Sequence, residues 1–159
     1  MEKHEEVLVA LRRIIRATDS HSKRLSKEFG LTTPQLLILL SIRELGDVTI
    51  RHISAEVNLS QATVTTIIDR LEDRGLVSRR RSQEDKRKVY TSLTGAGNKV
   101  LENAPAPIQE EFVNAFHELE DWEQSLMLSS LQRLASMMDA EKIDAAPILD
   151  VGEPSRPKN

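Results

Sequence analysis

The chain has 159 residues and no cysteine, which excludes disulfide frameworks, thiolate nucleophiles, cysteine metal sites and sulfenic-acid sensing. No apolar run approaches the roughly 20 residues of a membrane span, and the acidic start Met1-Glu2-Lys3-His4-Glu5-Glu6 has no signal-peptide core behind it, so one soluble, cytoplasmic domain with or without an arm is expected. The net charge of −3 hides an asymmetry: residues 1–93 hold 17 Lys and Arg against 13 Asp and Glu, whereas residues 94–159 hold 5 against 12.

The first segment reads as a long helix. Val7, Leu8, Leu11, Ile14 and Ile15 fall on one stripe, Leu25 and Phe29 extend it, and Gly30 ends it. The stripe suits a core helix or a helix buried against a second subunit, and the sequence leaves both open. Thr32 or Thr33 then caps a helix with Pro34 in its first turn. Its run Leu36-Leu37-Ile38-Leu39-Leu40 is apolar nearly all round, so it is central and buried. Val48-Thr49-Ile50 is a short candidate strand, followed by a short helix near Arg51–Val57 and a turn at Asn58-Leu59. Ser60 caps a third helix that runs to about Arg74 and is closed by Gly75. Leu76–Arg81 and Lys88–Leu93 read as two short strands around a polar hairpin tip. Thr94 caps a helix to about Ala104, and Pro105 and Pro107 interrupt it. Ile108, Phe112, Val113 and Phe116 resume a helical stripe, and a last helix spans about Asp121–Met138. The proline-bearing residues from about Ala140 onward are expected to be a flexible tail.

The middle of the chain has helix-turn-helix spacing. Ile53 and Val57 are placed to face Val64, Ile67 and Leu71 across a tight turn, small Ser54 lets the helices approach, and Leu59 plugs the turn. With Val64 at the centre of the buried face, Ala62, Thr65, Thr66, Asp69 and Asp73 point away, and Thr63 and Arg70 lie on a flank. Three closely spaced threonines make an intrinsically poor helix. Hydroxyls and methyls that reach phosphates and thymine methyls give such an exposed face a use. An ordinary solvated face is the plainer reading of the helical pair alone.

The hairpin shifts that balance. Strand, basic tip and strand directly after a candidate reading helix make a wing. Within residues 79–88 six cations (Arg79, Arg80, Arg81, Lys86, Arg87, Lys88) stand against Glu84 and Asp85. Such a local cluster outweighs the global charge for a phosphate, because screening limits reach to roughly 8 Å. Lys86 and Arg87 can enter a minor groove narrowed by A·T-rich sequence. Asp85 is expected to pair with an arginine such as Arg79 and brace the loop, or else to occupy a simple turn position. Aromatics make up only 3% of the chain, which argues against a base-stacking surface for single strands.

These residues resemble the MarR family of bacterial transcription regulators. The matching pieces are the R-L-x-x-x-G-L-V-x-R run from Arg70 to Arg79, the D-x-R of Asp85 and Arg87, and the L-T-x-x-G of Leu93 to Gly97, with flanking helices that extend the likeness over about residues 5–139. The resemblance implies a mostly α winged helix-turn-helix protein and an obligate homodimer. Residues 1–46 and 94–139 would form the dimerisation region and 47–93 the DNA-binding lobe, with 140–159 as the tail. Dimer contacts would come from Val7, Leu8, Leu11, Ile14, Ile15, Phe112, Phe116, Leu126, Leu131 and Leu134. It also implies that Arg87 inserts in the minor groove and Asp85 braces it. The N-terminal stretch from Glu2 to Leu8 and the segment Leu31–Leu36 resemble the branch that regulates compatible-solute genes, such as those of ectoine and glycine betaine synthesis, which implies a role in osmotic stress.

The expected DNA contacts are Ser60, Gln61, Ala62, Thr63, Thr65, Thr66, Arg70, Arg79, Lys86 and Arg87. Two lobes docking one helical turn apart imply a pseudo-palindromic operator of roughly 16–20 base pairs, and repression by blocking polymerase access. The chain's own promoter is one candidate site. The alternative is a winged-helix module for protein contacts without specific DNA binding. No metal, cofactor or catalytic residue is expected: His4, His21, His52 and His117 are scattered, His52 and Glu56 read as a surface pair, and no phosphate loop or nucleophile motif occurs. The family's effector pocket often lies between dimer helices and lobe, which makes Arg16, Ser20, His21 and the Thr33–Leu40 helix candidates for an unidentified small molecule.

Overall fold

The structure, a computed structural model, describes residues 2–143, 145 and 147–149; the expected tail at 140–159 therefore lies partly outside the described residues. Among the described residues seven helices and three strands follow in the order α1 (Lys3–Phe29), α2 (Thr33–Leu45), β1 (Val48–Thr49), α3 (Ile50–Val57), α4 (Gln61–Asp73), β2 (Val77–Arg81), β3 (Val89–Leu93), α5 (Gly95–Asn103), α6 (Ile108–His117) and α7 (Asp121–Met137).

Capping chemistry sets most of the boundaries. Thr32 and Gln35 form a reciprocal capping box at the start of α2, whose first turn holds Pro34. The hydroxyls of Thr49, Ser60 and Thr94 accept backbone N–H groups of the first turns of α3, α4 and α5. Gly30 closes α1 in the left-handed region.

The core sits in the middle of the chain. Leu36, Ile38, Leu39 and Ile42 of α2 are fully buried against Ile53 of α3 and Val64, Ile68 and Leu71 of α4. Leu76, Val77 and Leu101 complete the cluster from the wing root and α5, and Leu25 and Leu31 close it at the end of α1. Helix α2 packs on α3, α4, α5 and β3, so its core is continuous with that of the winged lobe. One detail differs from the sequence reading. Ile68 rather than Ile67 joins Val64 and Leu71 on the buried stripe, and Ile67 sits half-buried at its edge.

The sheet is antiparallel with order β1-β3-β2. The two-residue β1 pairs Thr49 with Tyr90, and β2 pairs with β3 over five positions from Val77↔Leu93 to Arg81↔Val89. The sheet thereby ties α3 to the wing.

A compact joint links α4, the wing and α5. Gly75 leaves α4 at φ 70°, a conformation that costs glycine nothing. Its carbonyl accepts the Thr94 hydroxyl at 2.6 Å, and the Leu76 carbonyl accepts the Thr94 N–H at 3.1 Å. The first turn of α5 lies so close to this strand that a Cβ on Gly97 would overlap the Leu76 carbonyl oxygen.

The outer helices are different. Only Thr18 and Leu25 of α1 are buried, and α6 and α7 bury no residue among those described. Val7, Leu8, Ile14, Ile15, Phe112, Leu126 and Leu131 are exposed, and Leu11, Phe116 and Leu134 are half-buried. The apolar stripe of α1 thus enters the chain's own core only at Leu25 and Phe29, which removes the core-helix reading for its first half. Phe112 and Phe116 pair with ring centroids 5.4 Å apart on the same apolar surface.

Two glycines of α5 should separate crowding from flexibility. Gly97→Ala is expected to destabilise the chain by about 1–3 kcal/mol through overpacking. Gly95→Ala, where a Cβ meets nothing within 4 Å, should stabilise slightly or leave stability unchanged. Urea denaturation of the two variants beside the parent checks this; equal midpoints would remove the close approach at Leu76.

Candidate nucleic-acid interface

Helix α4 is held on one side by Val64, Ile68 and Leu71 and presents its other side to solvent. Gln61, Ala62, Asp69 and Arg70 are exposed, and Thr63, Thr65 and Thr66 are half-buried. The turn before it is fixed by Asn58 at φ 58° and by the Ser54 hydroxyl, which donates to the Leu59 carbonyl. Ser54 therefore does more than leave room: its hydrogen bond crosses the turn.

The threonines are not equivalent. Thr63 Oγ1 lies 2.8 Å from Ser60 Oγ, and Ser60 Oγ accepts the Thr63 N–H at 3.1 Å, so both belong to the helix cap. Thr65 Oγ1 donates to the Gln61 carbonyl at 2.7 Å and Thr66 Oγ1 to the Ala62 carbonyl at 3.1 Å. Those hydroxyl protons are spent on the helix itself. What remains for an incoming ligand is methyl surface and oxygen lone pairs, which suits thymine methyls better than phosphates.

The wing follows without a gap. Strand β2 carries Arg79, Arg80 and Arg81, and the tip spans 82–88. Ser82 Oγ accepts the N–H groups of Glu84 and Asp85, both at 3.2 Å. The Ser82 N–H bonds the Lys88 carbonyl, and the Lys88 N–H bonds the Asp85 carbonyl, each at 2.9 Å. Lys86, Arg87 and Lys88 are exposed.

The expected Asp85–Arg79 pair does not form. Asp85 Oδ1 instead accepts the Arg87 N–H at 3.0 Å, so its carboxylate braces the tip from a turn position. Arg79 turns the other way. Its guanidinium donates to Glu72 Oε2 through Nε (2.9 Å) and Nη2 (2.5 Å), and Nη2 also lies 2.7 Å from Asp69. The Arg79 N–H bonds Glu72 Oε1 at 3.2 Å. The Arg79 side chain is 28% exposed, against 63% for Arg80, so it is a clamp between wing and α4 and no longer an open cation for DNA. Arg80 pairs with Asp47 at 2.8 Å and ties the wing root to the turn before β1. Sequence reading missed Glu72 and Asp69 because their partner lies beyond the Gly75 turn; the signal was the seven-residue spacing of Glu72 and Arg79 across a helix-to-strand reversal.

The clamp perturbs its own titration. Arg79, chiefly through hydrogen bonds, holds the Glu72 carboxyl below its ordinary value of 4.5, and Glu72 raises the guanidinium in return. A carboxyl with a lowered folded-state pKa adds stability that is present above its unfolded value and is lost as pH falls through the folded value.

Other expected features lie elsewhere. His52 makes no ion pair with Glu56; its Nδ1 lies 3.3 Å from Thr49 Oγ1. Among the effector candidates, Arg16 and Ser20 are exposed. His21 Nε2 lies 3.0 Å from the Ala106 carbonyl, while its Nδ1 is buried without a partner. A cleft of about 280 Å³ beside α2 and α3 is lined by Leu37 of the candidate Thr33–Leu40 helix, with Ser41 and Glu56 among others, and by none of Arg16, Ser20 and His21. Among the described residues no group of three His, Asp or Glu side chains is placed to hold a metal, and no helix is long and apolar enough to cross a membrane.

The MarR family sequence profile matches residues 31–89, from the core of α2 to the wing. The HTH-type transcriptional regulator YsmB of Bacillus subtilis is 28% identical over 138 residues, 87% of this chain and 94% of that protein. YkoM of Bacillus subtilis, also an HTH-type transcriptional regulator, is 30% identical over 121 residues, 76% of this chain and 79% of that protein. In three dimensions the chain is similar to BpsR of Bordetella bronchiseptica, whose DNA binding is regulated by 6-hydroxynicotinic acid, with a TM-score of 0.53 and 25% identity over 82% of this chain and 98% of that one.

Glu72→Gln should reduce stability at neutral pH, and the difference from the parent should shrink as pH falls below about 4.5. Denaturation midpoints of both proteins between pH 3 and 7 check this. A difference that stayed constant with pH would mean that the Glu72 charge does not contribute.

Proposed function

The chain belongs to the MarR family, and from that membership we propose that it is a non-enzymatic, cytoplasmic transcription regulator, a repressor that binds duplex DNA sequence-specifically as a homodimer. The observation that carries this reading is the juxtaposition of an exposed α4 face with a wing whose tip cations, Lys86 and Arg87, are exposed and hold no ion pair among the described residues. DNA binding by BpsR supports it by likeness.

In this reading α4 lies in the major groove. Gln61 and Ala62 meet base edges, Thr65 and Thr66 offer methyls, and Arg70 reaches a phosphate or base. Ser60 and Thr63 contribute through the cap, whose first-turn N–H groups and dipole favour a phosphate. Arg87 and Lys86 enter the adjacent minor groove, and Asp85 holds the tip. Arg79 acts indirectly, by fixing the wing to α4.

Residues 47–93 form the DNA-binding lobe, and residues 1–46 and 94–139 the dimerisation region, with α2 as the helix they share. The apolar faces of α1, α6 and α7 are the dimer surface, through Val7, Leu8, Leu11, Ile14, Ile15, Phe112, Phe116, Leu126, Leu131 and Leu134. Two lobes one helical turn apart read a pseudo-palindrome.

Arg87→Ala should weaken binding to a duplex selected from a random pool by roughly tenfold or more, in the ~1–3 kcal/mol range of a groove contact, with the dimer intact. Fluorescence anisotropy against unlabelled random competitor measures it, and unchanged affinity would defeat the wing model. Leu126→Glu should convert a species of twice the chain mass of 17.9 kDa into one of single mass in light scattering. A dimer that survived this change would place the interface elsewhere. A protein that binds no duplex at all would favour the protein-interaction module.

A further inference from the structure

A cleft of about 780 Å³ opens between the first turn of α3 and the tip end of the wing. Thr49, Arg51 and His52 line one wall, and Arg87, Lys88 and Tyr90 line the other; no carboxylate contributes to it. The pairing of Thr49 with Tyr90 in the sheet brings these two segments together. Arg51, Arg87 and Lys88 are exposed, and none forms an ion pair among the described residues. In this they differ from Arg79 and Arg80, whose charges the chain's own carboxylates take up.

A histidine ring also stands in the cleft. Thr49 Oγ1 accepts the His52 N–H as the cap of α3 and lies 3.3 Å from His52 Nδ1, so the ring is held beside the cap. The N–H groups of Ile50 and Arg51 in the first turn have no partner within the helix. Three exposed cations in a cleft with no carboxylate in its lining are the complement of a phosphate.

We propose that this cleft seats a backbone phosphodiester of the bound duplex, beside the minor groove that Arg87 enters. The proposal rests on the DNA-binding reading. A minor groove is only about 6 Å wide, so a phosphate of its rim comes within reach of the cleft when the tip arginine lies inside it. The contact adds Arg51, His52 and Lys88 to the interface and makes α3 a register-setting element, because phosphate contacts position and do not specify.

The test is the salt dependence of binding by the full-length protein. Arg51→Gln and Lys88→Gln, both at exposed positions, are combined and compared with the parent on a selected operator and on random duplex. The double variant should weaken both duplexes by the same factor and lower the slope of log affinity against log salt by about 2 per dimer, one phosphate for each lobe. An unchanged slope, with the parent binding its operator normally, overturns the phosphodiester assignment and leaves the DNA reading intact. A parent protein that binds no duplex overturns both. The phosphate source is distinguished by titrating inorganic phosphate against chloride at matched ionic strength, with the amide resonances of Ile50, Arg51 and His52 as readout. Shifts there together with an unchanged slope in the variant would assign the cleft to a free phosphate and reject the backbone contact.

Discussion

The Leu76 carbonyl is the point through which the winged lobe is organised. It receives the Thr94 N–H, and it lies where any side chain on Gly97 would collide with it. The Thr94 hydroxyl donates to the Gly75 carbonyl and accepts the Gly97 N–H, so one threonine bonds the end of α4 and caps α5. The end of α4, both roots of the hairpin and the start of α5 are therefore fixed within a few ångströms of each other. Interiors packed this closely deform in steps and not continuously. The angle between α4 and the wing is thus a property of that joint, reinforced further out by Arg79 between Glu72 and Asp69.

The arrangement of charge explains how a chain of net −3 can present a cationic face. Some cations are consumed internally. Arg74 donates to the Gly30 carbonyl at 2.6 Å, Arg79 is clamped by two carboxylates, and Arg80 is held by Asp47. These position the elements. A second set, Arg51, Lys86, Arg87 and Lys88, is exposed around the α3 start and the wing tip. The acidic excess lies in residues 94–159, after β3 in the chain. At physiological salt a charge acts over roughly 8 Å, so the two populations need not cancel.

Much of this was legible in the sequence because the signals are local. Thr32, Ser60 and Thr94 announce helix starts, Gly30 and Gly75 announce ends, and the alternation around Val77 and Val89 announces the hairpin. The helix-turn-helix register follows from Ile53, Val64 and Leu71. What was not legible depends on partners across a reversal of the chain. The sequence offered Asp85 a nearby arginine, but the tight tip puts the Arg87 N–H closer than any guanidinium. Arg79 found Glu72, on the far side of the Gly75 turn. The cleft beside the start of α3 joins residues 49–52 to 87–90, a proximity that the β1–β3 register creates. Amphipathicity showed that α1 has an apolar face, yet periodicity is the same whether the cover is the chain itself or another molecule.

The strand order leaves a last consequence. With β3 in the centre, β2 is an outer strand of the sheet; on its free side the Arg79 N–H is taken by Glu72, and the rest of that edge is what a passing strand meets. Such an edge is a template for zipping molecules together into aggregates, and chains protect it with charged side chains. Here the edge is Val77-Ser78-Arg79-Arg80-Arg81, where the clamp of Arg79 on Glu72 covers part of the edge and Arg81 adds an exposed charge. The arginine run thus guards colloidal solubility as well as shaping the wing. Replacing it with neutral β-forming residues would turn the hairpin into an adhesive, even where the lobe itself still folds.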